Sequence, residues 1–127
     1  EQMQGKWLLL QIDSGDCDAR CLEQLYAMRQ LRLAQGKDRV RLERVWLLSD
    51  DSRPAPDLLA EYAGTLVVRA AGSEAMTVFP APTDRAAHLY LVDPQGNLMM
   101  RFPEKPDPTR IIKDLQRLLR PSRIGAG

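Results

Sequence analysis

Asp16-Cys17-Asp18-Ala19-Arg20-Cys21 holds the only two cysteines of the chain. An apolar run, Trp7-Leu8-Leu9-Leu10-Gln11-Ile12, precedes it and reads as a buried strand. Leu22, Leu25, Met28 and Leu31 follow at helical spacing. Two thiols therefore stand where a strand gives way to a helix. A helix start carries unpaired N–H groups and a partial positive charge, which favour thiolate at the first sulfur. If both cysteines have helical geometry, their spacing puts them on one face with Cβ atoms about 5–6 Å apart. That separation suits either a disulfide or two thiolates on one soft metal ion.

The common dithiol motif has two residues between its cysteines, whereas this pair has three. Outward from the pair, Gln4 to Asp13 reads as the first strand, and Asp16 or Asp18 as the helix cap. The helix is expected to run to about Gln35, with Gly36 as a left-handed stop. Val40 to Leu48 reads as a second strand, Ser49 to Pro56 as a loop, and Asp57 to Tyr62 as a short helix ended by Gly64. Thr65 to Ala70 is a short β-rich run, and Ala71 to Phe79 is a helical turn or a loop. Pro80-Ala81-Pro82 breaks regular structure. His88 to Val92 and Asn97 to Phe102 form a hairpin about the turn Asp93-Pro94-Gln95-Gly96. Pro108 to Arg120 is an amphipathic helix with Ile111, Ile112, Leu115, Leu118 and Leu119 on one side. A β-α-β unit, a hairpin and a closing helix give an α/β class with a central mixed sheet flanked by helices, in the thioredoxin-like order.

Cys-x-x-x-Cys after a strand also resembles the Sco family of cytochrome c oxidase assembly proteins. Gly5-Lys6-Trp7-Leu8-Leu9 resembles the Sco strand leading into the cysteines. Leu48 to Arg53 with Pro54 to Tyr62, and Asp84 to Gly96, resemble two further Sco segments in the same order. The resemblance implies a thioredoxin-like domain acting through Cys17 and Cys21, by thiol–disulfide exchange or by handling Cu(I). It implies a partner such as a cytochrome c oxidase subunit or another assembly factor. It also implies a periplasmic location, with a membrane anchor upstream of this stretch. Two positions depart from the family. Leu22 stands where Sco proteins have proline, and Arg85 falls on the copper-binding histidine. Ala87 occupies the place where thioredoxins carry a cis-proline, which Sco proteins also lack.

An arginine stays protonated and does not ligate copper. The sole histidine, His88, is the remaining candidate third ligand. Three steps along a strand reverse the face, so His88 is expected to point away from Arg85 and from the thiols. The bland alternative is a packed histidine with one nitrogen hydrogen-bonded. Met99 and Met100 are soft donors, but they lie far along the hairpin and read as filling residues. Zinc fits poorly, since a closed site needs four ligands. Asp16 and Asp18 attract cations and also raise a nearby thiol pKa. Arg20 and Arg85 are placed to offset them or to stand as solvated charges. Trp7 and Trp46 read as packing residues, and Asp93 as a turn residue.

The 127 residues suit one domain over 1–120 with a flexible tail over 121–127. A hydrophobic fraction of 44% and a charged fraction of 28% are ordinary for a globular protein. The net charge of +1 gives no general attraction to nucleic acid. No apolar run reaches the roughly 20 residues that span a bilayer, so contact with a membrane falls to the implied anchor. Two other functions compete with the Sco-like one. The first is a redox-inert interaction module that keeps the fold, distinguished by the state of Cys17 and Cys21. The second is a general thiol–disulfide oxidoreductase, against which Ala87 in place of proline argues.

Overall fold

A computed structural model describes residues 5–73, 78–79, 84–105 and 107–120. The elements are β1 (Trp7–Asp13), α1 (Ala19–Leu33), β2 (Leu42–Leu48), α2 (Pro56–Glu61), β3 (Thr65–Arg69), β4 (Leu89–Val92), β5 (Leu98–Arg101) and α3 (Pro108–Leu119). The strands make one sheet in the order β3-β2-β1-β4-β5. β1 runs parallel to β2, and β2 parallel to β3, while β4 is antiparallel to both β1 and β5. The sheet is mixed and flanked by helices, as the order of patterns along the chain predicts.

β1 is central because its apolar run buries both faces. Leu9 belongs to a core with Cys21, Leu25, Met28 and Leu31 of α1 and with Ile111, Leu115 and Leu119 of α3. Leu10 and Ile12 belong to a second core on the opposite face, with Val45, Phe79, Tyr90 and Val92. Each fully buried aliphatic side chain contributes roughly 1.5–3 kcal/mol, so the rows along α1 and α3 fix both helices on the sheet. Trp46 is fully buried, Trp7 partly so, and both pack in the first core. Met100 packs against that core and Met99 is exposed.

Three boundaries differ from the sequence expectation by two residues or more. β1 starts at Trp7 rather than Gln4, because the chain turns through Gly5, with φ +79, and Lys6. α1 ends at Leu33 rather than Gln35, because the chain tightens: Ala34 N–H donates to Gln30 O and Gln35 N–H to Arg32 O. Gly36 is left-handed, with φ +60, but it opens a 3-10 segment, Gly36–Arg41, instead of closing the helix directly. β2 therefore starts at Leu42, not Val40. The alternation through Val40-Arg41-Leu42 imitates a strand, yet Val40 is 60% exposed. Arg32 Nε donates to Leu42 O at 2.7 Å and marks the true entry to β2. Most of the segment from Ala71 to Pro82 lies outside the described residues, as do Gln4 and the tail 121–127.

Candidate functional site

The site forms at the C-terminal edge of β1 and β2. Asp13 ends β1, and its carbonyl accepts from Ser49 N–H at 3.0 Å and from Trp46 Nε1–H at 3.3 Å. These bonds tie the start of the cysteine loop to the end of β2. Asp50 reinforces them from the neighbouring loop, its Oδ1 accepting from Gly15 N–H and Ser52 N–H, each at 3.1 Å. Gly15 is buried, and a Cβ there would stand 2.7 Å from the carbonyl carbon of Ser52. The absence of a side chain lets the two loops touch.

Asp18, not Asp16, caps α1. Its Oδ1 accepts from Cys21 N–H at 2.9 Å, three residues on, which satisfies one orphan donor of the first turn. Cys17 consequently lies before the cap, outside the helix, and Cys21 lies within the first turn. The expectation that both share a helical face is corrected here: a cap residue has extended backbone, so Cys17 approaches from the loop. The two sulfurs are joined as a disulfide, with Cα atoms 5.2 Å apart. Cys21 is 0% exposed, whereas Cys17 is only partly buried. An incoming thiol therefore meets Cys17.

Two polar groups beneath the bridge escape a reading of local pattern. Gln11 is fully buried on the face of β1 that meets α1, and its Nε2–H donates to Cys21 Sγ at 3.3 Å. Asp13, two residues further, is also buried, and its Oδ1 accepts from Ser14 N–H at 2.8 Å. Burial, with help from the Asp18 and Asp84 carboxylates, pushes the Asp13 carboxyl above its ordinary range. Asp50 moves the other way: the Ser14 hydroxyl and then Gly15 N–H hold its carboxyl below the usual value.

Arg20 in the first turn of α1 reaches Asp84 at 3.0 Å, so it pairs across the site rather than with Asp16 or Asp18. Asp84 caps a 3-10 turn, Arg85–Ala87, by accepting from Ala86 N–H at 2.9 Å. That N–H and then Arg20 hold the Asp84 carboxyl below its usual value. Arg85 is therefore not on a strand, and its Nε donates to Phe79 O at 2.7 Å. The parity argument for His88 fails at its premise, since the chain turns between Arg85 and His88. His88 is nevertheless buried, its Nδ1 in a 2.7 Å hydrogen bond with Phe102 O. That contact ties the head of β4 to the end of β5. Asp93 is a turn residue, with Oδ1 accepting from Gln95 and Asn97 N–H. Among the described residues, no three of His, Cys, Asp or Glu gather into a group that could hold a metal ion.

A disulfide at the start of the first helix, above a mixed five-stranded sheet, defines the class of thioredoxin-fold thiol proteins. The comparisons refine this. The chain belongs to the family described as transmembrane-like, thioredoxin-like, C-terminal domain, whose profile matches residues 7–122. No curated protein sequence matches it. Among solved structures it is similar to Bradyrhizobium japonicum ScoI with copper bound. That match has 21% identity and a TM-score of 0.66, covering 91% of this chain and 86% of that one. It is also similar to yeast Sco1 with copper bound, at 18% identity and a TM-score of 0.73, over 98% and 85% of the two chains. A third is a SCO1/SenC family lipoprotein from Bacillus anthracis, at 17% identity and a TM-score of 0.65, over 91% and 83%. At these identities the likeness establishes the fold.

Proposed function

We propose that this domain is a Sco-like thiol redox protein of cytochrome c oxidase biogenesis, with Cys17 and Cys21 cycling between disulfide and dithiol. The observation that carries the reading is the bridge itself, buried at Cys21 and open at Cys17, at the start of α1. In the reduced domain the Cys17 thiolate attacks a partner disulfide, forming a mixed disulfide and releasing one partner thiolate. Cys21 then attacks Cys17 Sγ, which releases the second partner thiolate and reforms the bridge. Two electrons pass to the partner, and a thiol reductant restores the domain.

The natural substrate is a cysteine pair in a copper site of an oxidase subunit, or in another assembly factor. The reduced pair also fits Cu(I) as cargo, because that ion accepts two soft sulfur donors. The donor set does not fit a three-ligand Cu(II) site: Arg85 stays charged, and among the described residues no His, Asp or Glu gathers with the two cysteines into a metal-holding group. Membrane association is supported by the transmembrane-like family description and by a fold relative that is itself a lipoprotein, and the periplasmic setting is part of the proposed Sco-like role.

A redox titration of the metal-free domain, followed by Cu(I) chelator competition, tests the proposal. The expected result is reversible two-electron reduction, first alkylation at Cys17, and Cu(I) binding abolished by Cys17→Ser or Cys21→Ser. A bridge that neither opens nor reforms in the folded domain would establish the redox-inert module instead.

A further inference from the structure

Gln11 and Asp13 continue on β1 a face that begins apolar. Trp7 and Leu9 precede Gln11 on the same face of β1, and it sits between Trp46 of β2 and Leu89 of β4. A buried amide without partners costs free energy, and a leucine would fill such a place without that cost. The Oε1 of Gln11 has no hydrogen-bond partner among the described residues. Among the described residues, the bond from its Nε2–H to Cys21 Sγ is thus its one side-chain hydrogen bond.

Sulfur in a disulfide is a weak acceptor, but a thiolate accepts a far stronger, charge-assisted bond. Cys21 is fully buried and Cys17 is not, so an external thiolate attacks Cys17 Sγ. The sulfur–sulfur bond then breaks, and its electron pair passes to Cys21 Sγ. That sulfur leaves as a thiolate directly against the Gln11 amide. Asp13, two residues on along the same strand face, lies within electrostatic reach of Asp18 and Arg20 from the start of α1 and of Asp84, which pairs with Arg20.

We propose that Gln11 is a positioning residue for the redox step, holding Cys21 in place and stabilising it as the leaving thiolate. The inference rests on the redox reading of the Cys17–Cys21 pair. It gives a reason for a buried amide in the central strand, and it assigns the two sulfurs different roles.

The test uses the metal-free protein with Gln11→Met, which keeps length and loses the donor, and with Gln11→Leu. Opening of the bridge by excess glutathione or dithiothreitol is measured as a rate and as an equilibrium. The rate should fall roughly fivefold to tenfold, and the equilibrium should move toward the disulfide by a similar factor. A tenfold shift corresponds to about 30 mV in the two-electron potential. Folding of the oxidised variants should be retained, because both replacements suit an apolar site. A merely structural role would change stability without moving the potential.

Wild-type rate and potential in a folded variant would overturn the inference and leave the redox function standing. Failure of the wild-type bridge to open reversibly would overturn both. Should neither variant fold, the Gln11 side-chain amide resonance of the wild-type protein decides. A downfield shift on reduction supports the contact with thiolate, and an unmoved resonance refutes it.

Discussion

Gly15→Ala bears directly on how the cysteine loop is held. The new Cβ would stand 2.7 Å from the Ser52 carbonyl carbon and 3.3 Å from Pro54 Cδ, and it would collide with the Ser52 carbonyl oxygen. Carbon atoms pack at about 3.5–4.0 Å, so the two loops must part by roughly 1 Å. The obstacle is backbone rather than the end of a flexible side chain, and overpacking of this kind costs about 1–3 kcal/mol. Parting the loops also breaks the hydrogen bond from Gly15 N–H to Asp50, which water replaces only in part. A loss at the upper end of that range, about 3 kcal/mol, is therefore expected. With a urea m-value of about 1.5–2 kcal/mol/M, the unfolding midpoint should fall by about 1.5–2 M with m unchanged. Cys21, shielded in the native domain, should also become easier to alkylate after reduction. A loss below about 1 kcal/mol with Cys21 still protected would refute the contact between the loops.

Asp13 and Asp50 should shape acid stability with opposite signs. The folded pKa of Asp13 is raised from 3.8, so its contribution is complete below that value and is lost as pH rises through the folded pKa. Asp13→Asn, which keeps an oxygen for Ser14 N–H, should therefore be more stable than the parent near neutrality and not below pH 3.8, as urea melts at both pH values would show. The folded pKa of Asp50 is lowered, so its contribution is present above 3.8 and is lost as pH falls through the folded value. Asp50→Asn should flatten the acid limb of the stability profile measured the same way. His88→Ala removes the partner of a buried carbonyl and leaves a hole, at a cost of about 2–4 kcal/mol by denaturant titration. Cu(I) affinity of the reduced domain should meanwhile change less than threefold, and a tenfold loss would make His88 a ligand. Arg85→His should strengthen Cu(II) binding in absorption titrations, and no gain would mean that this turn does not face the sulfurs.

Elements built from local periodicity could be read directly from the chain. Cys21, Leu25, Met28 and Leu31 announce α1, and Ile111, Leu115 and Leu119 announce α3, because each row needs only its own helix to be visible. The 3-10 segments hid for opposite reasons. Gly36–Arg41 carries an alternation that a strand would also show, and only Arg32 meeting Leu42 O sets the boundary. Arg85–Ala87 had a local signal in Asp84, whose side chain bonds two residues on, but counting strand parity from Arg85 to His88 passed over it. At the site, the cysteine positions were plain. The support beneath them was not, since Gln11 meets Cys21 across a strand–helix interface and Asp50 reaches Gly15 from a distant loop.

The Asp18 cap has a kinetic consequence. It anchors the first turn of α1 through the backbone of Cys21, independently of the sulfur–sulfur bond. When the bridge opens, Cys21 therefore stays beside Cys17 at an effective concentration far above that of any free thiol in solution. Under the proposed redox function, a partner joined to Cys17 is released by this intramolecular attack before a second encounter occurs. Release then needs no second protein, and the thiol reductant acts only afterwards, on the reformed bridge.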